Sequence, residues 1–255
     1  MPARRRLDAE LVRRGLVESR TEAREAIAAQ RVTVSGAIAA KAAHLVSPSE
    51  PVELRGAPRR FVGRGGDKLD AALTGFAVDV HGMRALDAGA STGGFTDCLL
   101  QRGARQVVAL DVGYGQLHER LRADTRVVVR ERVNVRHVEP DDLGGLVDLV
   151  VADLSFISLR TVLPSLLRVA RPGAHLVLLV KPQFEAGRAE VSRGRGVIRD
   201  PQVRERVRDQ IDAALRDAGT AIMGWMESPL PGADGNVELF VHAIAPPAPT
   251  LEELP

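Results

Sequence analysis

The stretch that most narrows what this chain can fold into is Leu86-Asp87-Ala88-Gly89-Ala90-Ser91-Thr92-Gly93-Gly94-Phe95-Thr96-Asp97. A strand-like run leads into it and a helix-like run, Phe95 to Gln101, leads out. Glycines at a strand-to-helix turn remove side chains where a ligand must approach, and the turn's amides point outward at a helix N-terminus. The spacing G-x-x-x-G-G matches neither the dinucleotide fingerprint nor the phosphate-binding loop. Alone, the turn fits an unliganded βα corner equally well, so its meaning rests on the rest of the chain.

From Arg84 onward, strand and helix patterns alternate. They predict strands over 84–88, 106–110, 126–129, 147–152 and 175–180, with helices near 94–102, 116–122, 156–169 and 201–217. Such alternation specifies an α/β, doubly wound parallel sheet. The end breaks the rhythm: 221–227 and 237–244 read as consecutive strands with no helix between them. A doubly wound (Rossmann-like) sheet with an antiparallel last strand is the pattern of class I methyltransferases, not of dehydrogenases.

Residues 1–60 differ in kind. They carry 12 Lys and Arg against 7 Asp and Glu, whereas the remaining residues carry 23 against 26. A basic module joined to a nearly neutral body points to a polyanionic partner. Leu7, Leu11 and Val12 have helical spacing, and Gly15 stops that helix. A second helix follows, with Ser19 or Thr21 as its cap, Glu22 and Glu25 in its early turns and Ala23, Ala26 and Ile27 as its apolar face. Residues 31–36 then alternate and turn like a hairpin. The turn formers around 47–51 and 56–60 mark a boundary, giving an N-terminal unit over 1–58, a linker over 59–64 and a second domain over 65–255.

Composition removes several classes. A single cysteine, Cys98, excludes an internal disulfide and a cysteine metal cluster, and its apolar surroundings make it a core filler. No run of eighteen apolar residues exists, and the N-terminus meets charge in place of a signal segment, so a cytoplasmic location without a membrane is expected. Nothing supports a pore. Lysine is the informative rarity, with 32 Arg against only Lys41, Lys68 and Lys181. Arginine meets most needs for a cation but cannot act as a base, whereas a buried lysine can.

The candidate site follows from strand order. Ligands of such sheets lie across the carboxyl ends of the strands. Asp111 ends the second strand, where a carboxylate can accept both ribose hydroxyls, and Asn134 follows the third, in place to meet an adenine. With the glycine turn they fit S-adenosyl-L-methionine, and the candidate contacts are Asp87, Gly89, Ala90, Ser91, Thr92, Gly93, Gly94, Phe95, Asp111, Val112, Asn134 and Asp153. Asp153 and Lys181 end the fourth and fifth strands, and Glu238 opens the last. Lys68, one position off the apolar stripe of Leu69, Leu73 and Phe76, completes a group of four. A lysine base beside carboxylates suits methyl transfer to a hydroxyl. A second lysine and burial would lower one amine's pKa while the carboxylates raise it, so the net shift stays open.

Arg6-Leu7-Asp8, Gly15-Leu16, Ser19-Arg20, Ala23, Ile27, Val32-x-Val34-x-Gly36 and Lys41 resemble the S4 RNA-binding module, with Ser35 in place of its familiar asparagine. The resemblance implies that Arg4, Arg5, Arg6, Arg20, Arg24, Arg31 and Lys41 face RNA phosphates. Arg64 and the Gly/Arg-rich segment 188–199, with Arg188, Arg193 and Arg195, are further RNA candidates. That segment is expected to be a mobile loop, either gripping substrate or merely connecting. The strings Asp87 to Thr96, Asp111 to Leu117, Asp153 to Leu159 and Lys181 to Glu185 extend the resemblance to the whole chain, which is similar to the TlyA family of ribosomal-RNA (cytidine-2′-O)-methyltransferases, related in the catalytic domain to FtsJ/RrmJ enzymes. It implies S-adenosyl-L-methionine as cofactor, ribosomal RNA within ribosomal subunits as partner, and a link to capreomycin susceptibility. Lys68, Asp153, Lys181 and Glu238 take the places of the catalytic tetrad. Some members are named haemolysins, and an RNA-binding or haemolysin-type protein without turnover is the alternative. The oligomeric state stays open, with a monomer favoured.

Overall fold

A computed structural model describes residues 4–17, 20–56, 60–194, 196–232 and 235–248, without the side chains of residues 21, 188, 189 and 193. Two compact units emerge, Met1–Arg59 and Arg60–Pro255.

In the first unit, helices Leu7–Arg13 and Arg20–Ala28 bury Leu7, Leu11, Ala23, Ala26 and Ile27 against Val32, Val34, Val46 and Val52. Gly15 adopts φ 67° just after the first helix, a left-handed conformation that costs glycine little. The cap candidates of the second helix, Ser19 and the Thr21 side chain, lie outside the described residues. Strand Val32–Val34 pairs antiparallel with Ala37–Ile38 and with Val52–Leu54. Ser35 (φ 48°) and Gly36 (φ 83°) form the tight turn, so serine occupies the first left-handed position of a two-residue hairpin loop. A two-residue pairing, Arg5–Arg6 with Leu45–Val46, closes the unit; it is too short to leave a periodicity in the sequence.

The second unit is a seven-stranded sheet among the described residues. Its strands are β1 Arg84–Ala88, β2 Gln106–Asp111, β3 Val127–Glu131, β4 Val147–Ala152, β5 Ala170–Val180, β6 Ala221–Glu227 and β7 Leu239–Ile244. Their spatial order is β6-β7-β5-β4-β1-β2-β3. The five strands from β3 to β5 run parallel, and β7 lies antiparallel between β5 and β6. Alternate residues of each strand feed two separate cores, which is why the parallel strands read as unbroken apolar runs. Leu86, Val108, Val150, Leu176 and Leu178 pack under helices α5 (Leu159–Val169) and α8 (Pro201–Asp217). Ala85, Val107, Leu149, Val151 and Val177 pack under α1 (Arg64–Gly75) and α2 (Gly94–Gln101). Cys98 is fully buried in this second core, where burial pushes its thiol up to about 12.

Among the described residues the shorter α-helices of this unit are α3 Glu119–Arg122, α4 Pro140–Leu143, α6 Pro182–Glu185 and α7 Arg188–Arg193. Two expected helices begin late for local reasons. His118 accepts the amide of Arg120 at 3.1 Å and starts α3 there, not at 116. Phe156 sits at φ 64° and Ser158 accepts the amide of Arg160, so α5 starts at Leu159, not at 156. The mobile loop expected over 188–199 is corrected in part: 188–193 is helical, with Glu190 bonded to the amide of Gly187 and paired with Arg206 of α8. Among the described residues no helix is long and apolar enough to cross a membrane.

Candidate active site

The site is assembled by register. Ala88 of β1 partners Ala152 of β4, and Val180 of β5 partners Leu239 of β7. The next residues, Gly89, Asp153, Lys181 and the preceding Glu238, therefore leave the sheet at one rim. Gly89 (φ 87°) lies against the backbone of Asp153, and a Cβ there would come within 2.5 Å of the Asp153 carbonyl oxygen. The amide of Asp153 in turn donates to the Ala88 carbonyl at 3.0 Å.

The four charged residues form two ion pairs. Lys68 Nζ donates to Glu238 Oε2 at 2.6 Å, and both side chains are buried. Lys181 Nζ stands 2.5 Å from Asp153 Oδ1 and donates to Ser155 Oγ at 3.0 Å. Asp153 Oδ1 is itself buried without an aligned hydrogen bond. Lys68 reaches the rim because α1 is clamped onto α2: a Cβ on Gly94 would come within 2.9 Å of the Gly66 amide nitrogen. That close approach explains an unfavourable cation near a helix N-terminus, since its charge is met by Glu238 and not by the helix.

Two hollows share Gly89 and Asp153 in their linings. The larger, about 500 Å³, is lined by Gly89, Ser91, Asp111, Val112, Asn134 and Asp153 among others. Asp111 Oδ2 accepts the amide of Ser91 at 2.8 Å and Oδ1 accepts the amide of Gly113 at 2.7 Å. A carboxylate has about four acceptor positions, so both oxygens retain capacity for a diol. Asn134 lines the hollow while its Oδ1 accepts the amide of Arg136, so its carbonyl serves the turn and its amide group is left for a ligand. Val112 is 71% exposed on the same wall. The smaller hollow is lined by Ala90, Ser91, Thr92, Gly94, Phe95, Arg64 and Asp153.

Of the predicted cofactor contacts, Asp87 and Gly93 line neither hollow. Asp87 lies behind the turn, fully buried; Thr96 Oγ1 donates to its Oδ2 at 2.6 Å, and Oδ1 has no hydrogen-bond partner. Desolvation, with the charges of Asp153 and Asp111 adding to it, raises its carboxyl to about 7. Gly93 is buried and caps α2. Phe95 is 3% exposed and stacks on Phe240 with centroids 6.2 Å apart. Arg64 donates to the Pro231 carbonyl at 3.0 Å. The sequence reading passed over Ser155, Phe156 and Tyr114. Phe156 is 91% exposed on the rim with its ring 5.2 Å from Phe184, and Tyr114 is 68% exposed beneath the Arg132 guanidinium. Only their closeness to strand ends could have drawn attention to them.

On the first unit, Arg4 pairs with Glu50 at 3.7 Å, Arg5 and Lys41 are exposed, and Arg31 donates to the Arg55 carbonyl. Arg6, Arg20 and Arg24 surround Asp8. Arg195 and the side chains of Arg188 and Arg193 lie outside the described residues.

Comparison with known proteins agrees with this geometry. The FtsJ-like methyltransferase model matches residues 61–244, and the S4 domain model matches residues 5–52. The 16S/23S rRNA (cytidine-2′-O)-methyltransferase TlyA of Mycobacterium tuberculosis is 53% identical over 94% of this chain and 90% of its own. Hemolysin A of Brachyspira hyodysenteriae is 38% identical over 94% of this chain and 99% of its own. A solved hemolysin-named structure from Streptococcus thermophilus superposes with a TM-score of 0.78 at 38% identity, covering 98% of this chain and 91% of that one. With an S4 domain, an FtsJ-like methyltransferase domain and more than half its residues in common with a TlyA enzyme, the chain belongs to the TlyA family of FtsJ-like methyltransferases.

Proposed function

We propose that the protein transfers a methyl group from S-adenosyl-L-methionine to the 2′-hydroxyl of a cytidine in ribosomal RNA, acting on RNA within ribosomal subunits. The observation that carries this reading is the shared rim on which Gly89, Asp153, Lys181 and Glu238 leave the sheet, with Lys68 paired to Glu238. The residues fit the cofactor: Gly89 leaves no room for a side chain beside Asp153, Asp111 offers acceptors for ribose hydroxyls, and Asn134 offers an amide toward a base. Gly89, Ala90, Ser91, Thr92 and Gly94 would hold the methionine end, and Asp111, Val112 and Asn134 the nucleoside end. When bound, the cofactor supplies an electrophilic methyl group on a sulfonium.

A ribose hydroxyl is a weak nucleophile and must lose its proton as its oxygen bonds to carbon. Lys181, on the same rim, takes that proton at Nζ. Asp153 and Ser155 hold the amine in direction, so that positioning contributes beside proton transfer, and Glu238 holds Lys68. With the cofactor bound, its methyl group would pass to the ribose oxygen as that proton leaves, giving a 2′-O-methyl nucleotide and the demethylated cofactor. Incubating the protein with labelled S-adenosyl-L-methionine and ribosomal subunits lacking the modification is expected to label ribose 2′-oxygens. Absence of ribose methylation on either subunit and on free ribosomal RNA overturns the reading.

A further inference from the structure

In the N-terminal unit a single buried carboxylate gathers arginines from separate elements. Asp8 is fully buried. Arg6 donates to it twice, from Nε to Oδ1 and from Nη2 to Oδ2, each at 3.1 Å. Arg20 Nη2 donates to Oδ2 at 2.9 Å, and Arg24 Nε stands 3.5 Å from the same oxygen. The amide of Ala9 occupies Oδ1 as well, at 2.9 Å. The three arginine side chains nevertheless remain 46%, 52% and 58% exposed. One negative charge thus holds three positive ones on a solvent-facing patch, leaving a surplus of two.

Glu10, two residues along the helix, shows the contrast. It too is buried and bears two arginines, Arg13 and Arg14, but both come from its own helix end. Arg14 directs its other donors inward, to the carbonyls of Glu50, Ser47 and Pro48. Through Arg14, Glu10 therefore stitches the unit together and holds one exposed arginine, Arg13, from its own helix, whereas Asp8 gathers three exposed arginines from separate elements. Long arginine side chains lose rotamer freedom on binding, and a partner finds them cheaper to engage if that freedom is already lost. Their planar forks also need a set direction to meet phosphate oxygens.

We propose that Asp8 is a positioning residue for RNA binding, holding Arg6, Arg20 and Arg24 as one preformed fork that grips neighbouring phosphates of the RNA backbone. The proposal rests on the RNA-directed reading above and adds to it a residue that never touches RNA. Its test turns on sign. Asp8→Asn removes a negative charge, so long-range electrostatics by itself makes the protein bind RNA more tightly, while loss of the fork makes it bind more weakly. Filter binding of radiolabelled, unmodified ribosomal RNA by the full-length chain is expected to show affinity about tenfold weaker for Asp8→Asn, with the slope against log salt concentration shallower by about one to two phosphate contacts. In transfer assays the KM for RNA rises and kcat is unchanged. Glu10→Gln makes the same charge change in the same unit and is expected to bind as well as the wild type or more tightly.

Hydrogen exchange over residues 7–13 and 20–28 checks that the variant is folded. If Asp8→Asn loses protection there, Asp8→Glu, which keeps the charge and displaces it by one methylene, takes its place with the same expected weakening. A folded variant that binds as tightly as wild type, or tighter, overturns the role of Asp8 and leaves RNA binding itself standing. Failure of the wild-type chain to bind ribosomal RNA overturns both.

Discussion

Asp87 has one oxygen bonded to Thr96 and the other without a partner, at the back of the cofactor turn. Burial holds its carboxyl at about 7, well above the ordinary value of 3.8. Between roughly pH 4 and 7 the unfolded chain therefore releases a proton that the folded chain keeps, and stability falls as pH rises through that window, by up to about 4 kcal/mol. Asp87→Asn, which has the same shape and no charge, is expected to match the wild type at pH 4 and to exceed it by about 2–4 kcal/mol at pH 8 in urea unfolding. An unchanged wild-type decline in the variant assigns the effect to another group. Lys181→Ala carries the opposite signature: unfolding and cofactor affinity stay as in the wild type, while kcat for RNA methylation drops by about 10²- to 10⁴-fold. Full activity of that variant removes Lys181 as the base. Lys68 and Lys181 stood out in the sequence because lysine is so scarce in it, and strand order then placed Lys181 at the rim. Asp8 did not, because its neighbours Arg20 and Arg24 lie on another helix and their convergence is a property of the folded unit.

Elements were readable wherever periodicity ran long. The helix expected over 201–217 is present as Pro201–Asp217, opened by Asp200 and an early proline. Short pieces escaped: α4 and α6 have four residues each, barely one helical turn, so no periodicity can recur within them. The start of α5 escaped for a different reason, since nothing in the sequence announces that Phe156 adopts a left-handed backbone. The contact between α1 and α2 was also invisible, because a glycine signals freedom without saying what lies opposite. Gly94→Ala tests that contact. Its methyl would press on the Gly66 backbone, which has no flexible side chain to yield, so the helices must separate. The expected loss is about 1–3 kcal/mol in chemical unfolding, with a fall in kcat as Lys68 is drawn away from Glu238. Wild-type stability in the variant shows that the helix pair has room to give.

At the scale of the whole molecule, the chain joins a basic RNA-type unit to a methyltransferase unit, each with its own core. Removal of residues 1–59 is expected to leave cofactor affinity within about twofold, because the lining residues all belong to the second unit, and to abolish transfer to RNA at moderate salt. Calorimetry and methyl-transfer assays on the two forms measure both halves of that statement. Unchanged transfer to RNA by the shortened chain shows that the second unit engages RNA without the first. The order of strands, the closing hairpin and the charge asymmetry made this architecture readable from sequence alone.

The packing of Gly89 on the backbone of Asp153 has a further consequence. The glycine turn after β1 and the Asp153 corner after β4 are neighbouring rungs of one ladder, tied by the bond from the Asp153 amide to the Ala88 carbonyl. The separation of those two corners is therefore an inter-strand spacing, about 4.8 Å between neighbouring chains, held by backbone bonds. Loops around the rim are free to vary while the sheet, acting as a ruler, keeps that separation.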